Sequence, residues 1–112
     1  MELKFEWDEE KDRMNREKHG ISFETAAYVF RDKYYIEMYD FEHSIEEDRY
    51  IAIGMVGELL FVVFTERGES IRLISARLAT ERERRLYYGQ NIYDERRPNA
   101  HKGTAGGGPG RG

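Results

Sequence analysis

Two short stretches carry the residue types that acid–base and phosphate chemistry need. The first is Lys18-His19-Gly20. Histidine is the side chain type whose charge changes near neutral pH, which suits general acid or base work. A histidine just before a glycine equally suits a plain helix end, where a cation is favoured by the helix dipole. Lys18 is a candidate cation on the strength of that neighbour, and otherwise a solvated helix end. The second stretch is Ile71-Arg72-Leu73-Ile74-Ser75-Ala76-Arg77. A guanidinium grips phosphate oxygens through paired N–H donors. Two arginines in an otherwise apolar strand need partners, either phosphate or acids at the sheet rim. Strand alternation sends Arg72 and Arg77 to opposite faces unless a bulge re-aims one. Residues 71–85 hold five arginines against Glu81 and Glu83, a local +3. That is either an electropositive surface or a helix face laced with ion pairs.

Other chemistries lack their residues. Cysteine is absent, which removes disulfides, thiolate ligands and cysteine nucleophiles together. His19, His43 and His101 lie too far apart for ligand spacing. Residues 32–48 hold seven acids and one lysine, a local −6 that includes Glu46, Glu47 and Asp48 in succession. Hard cations need carboxylates that converge, and nothing in this run sets such a geometry. There is no Gly-rich phosphate loop, no G-x-S-x-G and no dinucleotide fingerprint. No metal and no cofactor are expected.

These residues must be positioned by a small body. The chain has 112 residues, 18 basic and 22 acidic, for a net charge of −4. That excludes a uniformly basic nucleic-acid coat protein, though not a local basic groove. The longest apolar run, Leu59 to Phe64, is too short to span a bilayer. No N-terminal segment has the apolar core of a signal peptide, so a cytoplasmic location is expected. Residues 96–112 hold four basic residues, no acid, both prolines and six of the 11 glycines, leaving the first 95 residues at −8. Such a segment buries too little to offset its ordering entropy. The expectation is one folded domain over 1–94 and a flexible, Gly-rich, basic tail over 95–112.

Local signals give the elements. Leu3 and Phe5 alternate with Lys4 and Glu6 as a short strand. Asp8 caps a mostly polar helix over about 9–18, which Gly20 stops. Ser22 caps a second helix over about 23–30, with Phe23, Ala26, Ala27 and Phe30 as its apolar stripe. Four strands follow: Tyr34–Tyr39, Arg49–Met55, Leu59–Thr65 and Ser70–Arg77. Val56-Gly57 and Arg67-Gly68 turn the chain between the last three. Leu59–Thr65 is apolar on both faces and reads as the central strand. Thr80 with Glu83 forms a capping box that opens a last helix, ended by Gly89. The sum is an α+β domain, an antiparallel meander with two N-terminal helices and one C-terminal helix gathered toward one face.

The same segments carry a resemblance. Phe5-Glu6-Trp7-Asp8, Asn15 and Lys18-His19-Gly20-Ile21-Ser22-Phe23-Glu24 resemble the opening of the BrnT family of toxins. Asp48-Arg49, Gly54, Thr65-Glu66-Arg67-Gly68, Ile71 to Arg77, Ala79-Thr80 and Glu83 resemble the rest of it. The likeness runs from about residue 5 to 88; the acidic segment 31–48 departs from the pattern, and the tail lies outside it. The resemblance implies a RelE-like ribonuclease fold and the toxin half of a bacterial type II toxin–antitoxin module. It implies cleavage of RNA, arrest of translation, and a BrnA-like ribbon-helix-helix antitoxin that covers the toxin, in a toxin–antitoxin heterotetramer.

RNA carries its own nucleophile, the 2′-hydroxyl, so its cleavage needs a base, an acid and cations around the phosphorane. On that reading His19 is the candidate acid or base, and Lys18, Arg49, Arg72 and Arg77 are candidate phosphate stabilisers. Arg67, Tyr87 and Tyr88 are candidate RNA contacts, the tyrosines through stacking; Tyr87 with Leu86 fits the core equally well. The rival reading is a non-catalytic interaction module that acts with a DNA-binding partner in transcriptional autoregulation. A third, a metal-dependent nuclease using Glu46, Glu47 and Asp48, requires a convergence that the sequence does not specify.

Overall fold

The computed structural model describes residues 3–95. The expected tail falls outside the described residues, except for its first residue, Glu95. The elements are β1 (Lys4–Glu6), α1 (Glu9–His19), α2 (Phe23–Ala26), a 3₁₀ turn (Ala27–Arg31), β2 (Ile36–Tyr39), β3 (Tyr50–Val56), β4 (Glu58–Arg67), β5 (Ser70–Leu78) and α3 (Glu81–Glu95). No described helix is long and apolar enough to cross a membrane.

The strands form one sheet in the order β1-β5-β4-β3-β2. β2 to β5 are the expected antiparallel meander, and β4 is its centre. β1 departs from it by lying parallel to β5, with Glu6 beside Arg72. Gly57 and Gly68 turn the hairpins with φ of 74° and 59°, a region that L side chains rarely adopt.

Alternation along β4 builds two cores. Leu60, Val62 and Phe64 face one way, against Phe23, Ala26 and Val29 from α2 and the 3₁₀ turn. Leu59 and Phe61 face the other way, where Tyr87 of α3 packs with Ile53 and Leu59. The helices are therefore not gathered on one face: α3 takes the second. It covers only one end of that face, so Val63 and Arg72 stay half-buried.

The second helix is shorter than its apolar stripe suggests, because the chain tightens into 3₁₀ geometry from Ala27. The last helix runs through Gly89, which was expected to end it. Asn91 explains the continuation: its amide donates to the Tyr34 carbonyl at 3.1 Å and to the Tyr87 carbonyl at 2.7 Å. One tertiary bond and one within the helix together outweigh the cost of a helical glycine, about 1 kcal/mol.

Gly54 sits where β3 meets the 3₁₀ turn. A Cβ there would lie 2.7 Å from Val29 Cγ1 and 3.1 Å from the Val29 carbonyl oxygen. Gly54→Ala is expected to cost about 1–3 kcal/mol through overpacking. Urea unfolding measures it, and an unchanged midpoint would show that the turn yields freely.

Candidate active site

The arginine strand contains the bulge that alternation alone does not supply. Val63 pairs with Ser75, but Phe64 pairs with Leu73, so Ile74 is an extra residue in β5. The shift keeps both Leu73 and Ala76 in the core. It also brings Arg72, Ser75 and Arg77 to one face, opposite Thr65, Val63 and Phe61 of β4. This is the half-open face of the sheet. The partners of the two arginines, Phe61 and Thr65, lie four positions apart on β4, about 13 Å along the strand.

Each arginine already holds a carboxylate. Arg72 Nη1 donates to Glu6 at 2.8 Å. Arg77 grips Glu83 with both nitrogens, at 2.9 and 3.0 Å, while its guanidinium lies 3.9 Å from the centre of the Phe61 ring. Burial alone would raise the Glu83 carboxyl, but Arg77 and the Thr80 N–H outweigh it and hold the group below its ordinary value of 4.5. The Arg77–Glu83 clasp therefore adds stability that is complete above pH 4.5 and lost as the pH falls below it. Acid titration of Glu83→Gln should show a shallower loss of stability in that window than wild type.

Arg49 and Arg67 meet at the far end of the sheet, where Glu47 lies 3.8 Å and 3.4 Å from them. Arg49 precedes β3 by one residue, in phase with Ile51 of the half-open face. Thr65 lies beside it and donates to the Asp48 carbonyl at 2.6 Å.

Lys18 and His19 are exposed at the end of α1, which Gly20 closes with φ of 73°. The helix lies along the free edge of β5 beyond the three residues of β1. There Asn15 stands in for a strand: Nδ2 donates to the Ala76 carbonyl at 2.9 Å, and Oδ1 accepts from the Ala76 N–H at 3.1 Å. The same amide holds the Ile21 carbonyl at 2.9 Å, so it fixes the turn after His19 as well. His19 follows Asn15 by four residues and shares its helix face. Ala76 adjoins Arg77 in sequence, so the Asn15 clasp ties α1, one turn before His19, to the neighbour of Arg77. Sequence reading did not foresee the Asn15 clasp on Ala76, nor that Glu6, Glu47 and Glu83 are the arginines' partners; Glu83 it read as a helix cap.

The tyrosines separate. Tyr87 is 5% exposed and donates its hydroxyl to Asp32 at 2.6 Å. It belongs to the core, and its ring is not free to stack on a base; Leu86, by contrast, is exposed. Asp32 also accepts from the backbone of Tyr34 and Met55, which makes it the latch of α3 on the sheet. Burial and then the Asp32 carboxylate push the Tyr87 hydroxyl well above its ordinary 10.0. This bond's contribution is complete below pH 10 and lost as the pH rises beyond it. Tyr87→Phe should cost about 1.5–3 kcal/mol in urea unfolding, as a buried hydrogen bond to a charged group does. Tyr88 is exposed, with Arg84 5.7 Å above its ring.

Among the described residues no three His, Asp or Glu side chains converge as a metal ion would require. A groove of 530 Å3 beside β1 and the 3₁₀ turn is lined by Leu3, Phe5, Trp7 and Tyr28 and contains none of the candidate residues.

A family profile described as the ribonuclease toxin BrnT of type II toxin–antitoxin systems matches residues 7–83. The chain belongs to the BrnT family. The ribonuclease toxin BrnT of Brucella abortus, known from a 1.1 Å crystal structure, is 26% identical to this chain. That match covers 71% of this chain and 100% of the Brucella chain, with a TM-score of 0.53. No curated protein matches. BrnT membership makes the chain a ribonuclease toxin of a type II module, which implies an antitoxin partner. The matched residues take in Lys18, His19, Arg49, Arg67, Arg72, Arg77 and Glu83, and stop short of Tyr87 and Tyr88.

Proposed function

We propose that this BrnT-family chain is a cytoplasmic endoribonuclease that cuts RNA without a metal ion and so inhibits translation. Its antitoxin is a BrnA-like ribbon-helix-helix protein, joined to it in a heterotetramer. The observation that carries the reading is the bulge at Ile74, which turns Arg72 and Arg77 onto one half-open face. The Asn15 clasp supports it by tying α1, one turn before His19, to Ala76, the neighbour of Arg77.

In this reading the RNA 2′-oxygen attacks phosphorus as its proton passes to a base. The P–O5′ bond breaks as an acid protonates the leaving oxygen. His19 takes one of the two proton roles. Arg77 and Arg72 exchange Glu83 and Glu6 for phosphate oxygens and stabilise the charge of the phosphorane. Arg49, Lys18 and Arg67 attract the flanking phosphates, and Tyr88 offers a ring for a base. The products are a 2′,3′-cyclic phosphate and a 5′-hydroxyl.

One observation favours the non-catalytic rival. Arg49, Arg67, Arg72 and Arg77 all face carboxylates, on a body of charge −8. Expression of the chain alone tests the two readings. The toxin reading expects growth arrest with cut RNA; arrest without cut RNA, or no arrest, favours the module.

A further inference from the structure

Between β2 and β3 the chain makes a loop, residues 40–49, that is built rather than loose. Ser44 Oγ donates to the Asp40 carbonyl at 2.6 Å and accepts from the Arg49 N–H at 2.8 Å. The Asp40 N–H closes the loop on the Arg49 carbonyl at 2.9 Å, and Thr65 holds the Asp48 carbonyl from β4. Yet this fixed loop turns Phe41 and Ile45 outward, each 85% exposed, the most exposed large apolar side chains among the described residues. A rigid loop has no need to present two such groups to water, and exposed apolar anchors mark interaction sites. From Asp40 to Asp48 there are five carboxylates and no Lys or Arg. Apolar anchors within a polar, mostly acidic rim suit a protein–protein contact, and the free carboxylates Glu42 and Glu46 repel RNA.

We propose that Phe41 and Ile45 are the anchors on which the antitoxin docks, through an apolar pocket rimmed by Lys and Arg. Acids on the antitoxin, like RNA phosphates, would have to displace Glu6, Glu47 and Glu83 from the arginines of the active face. In the loop Asp40, Glu47 and Asp48 have partners, so the charge left for steering is that of Glu42 and Glu46, which make no ion pair or side-chain hydrogen bond among the described residues. The loop also adjoins the proposed RNA site, because Glu47 holds Arg49 and Arg67 and Asp48 rests on Thr65. An antitoxin seated there lies across the Arg49 end of the RNA face. That last consequence rests on the proposed function; the docking itself does not.

The test uses the full chain and, as probe, the purified product of the reading frame adjoining its gene. Phe41→Ser/Ile45→Ser should weaken binding of that product by roughly 100-fold or more, as two central anchors do. Its RNA cleavage without the probe should stay within twofold of wild type. Glu42→Lys/Glu46→Lys should slow association about 10-fold at low salt, with the gap closing at high salt. Glu9→Lys/Glu17→Lys on α1 controls for charge alone and should leave the on-rate within twofold. Binding of the double serine variant within threefold of wild type would overturn the proposal, as would failure of the wild-type chain to bind the probe. Neutralising Arg96, Arg97, Lys102 and Arg111 to Gln tests the chain's own basic tail as occupant. Faster association by more than 10-fold in that variant would assign the loop to the tail instead. If the probe binds as expected but no RNA is cut by any form, the docking stands and the ribonuclease reading falls.

Discussion

Replacing His19 with alanine is expected to lower RNA cleavage by about 10²–10⁴-fold, the usual contribution of a general acid or base. The fold should not change. His19 is the last residue of α1 and is exposed, and its imidazole makes no hydrogen bond or ion pair among the described residues. The helix end is closed by Gly20, whose N–H reaches the Arg16 carbonyl at 2.8 Å, and by the Asn15 clasp. Truncation removes at most the attraction of a cation to the helix dipole, about 0.3–1 kcal/mol. A folded variant that cleaves within threefold of wild type would remove His19 from the mechanism. His19→Gln gives a second reading: it keeps polarity but cannot take a proton, so it should be as slow as alanine.

The second large effect is expected at Arg77, and it needs a paired design. Arg77→Ala alone strands Glu83, a carboxylate whose side chain is only 16% exposed. It also uncovers Phe61, so lost activity would be mixed with lost stability. Arg77→Ala/Glu83→Gln removes both charges together. This double variant should fold, by circular dichroism, and cleave about 10²–10³-fold more slowly than wild type, the cost of a missing donor at developing charge. Glu83→Gln alone releases Arg77 from its internal partner and should cleave at least as fast as wild type. A fast double variant, or a dead Glu83→Gln that still folds, would show that the pair is structural.

Much of the frame was legible because it rests on local chemistry. The run from Leu59 to Phe64 is apolar at every position, and β4 is indeed the central strand, fully buried on one face and half-buried at Phe61 and Val63 on the other. Asp8, Ser22 and Thr80 each accept from a backbone N–H at a helix start, as their positions suggested. What escaped the sequence is long-range. The partner of Arg72 is Glu6, 66 residues earlier, brought there by a parallel strand that the hydropathy pattern does not orient. The bulge at Ile74 follows from the demand that Leu73 and Ala76 both reach the core, a demand set by α1 and α2 rather than by β5 itself. Gly89 was misleading for the same reason: its local stop signal is overridden by Asn91 holding the Tyr34 carbonyl, 57 residues away. Tyr87 could be read as a stacking ring or a core ring until Asp32 was placed under its hydroxyl.

The central claim is that a BrnT-family chain with this arrangement cuts RNA with its own side chains. The most direct measurement incubates the purified full chain with a structured RNA in excess EDTA and maps the ends of the products. The account predicts internal cuts that leave 2′,3′-cyclic phosphate and 5′-hydroxyl ends, at a rate indifferent to chelator. RNA that stays intact, or cleavage that stops in EDTA and returns with a divalent cation, would contradict it.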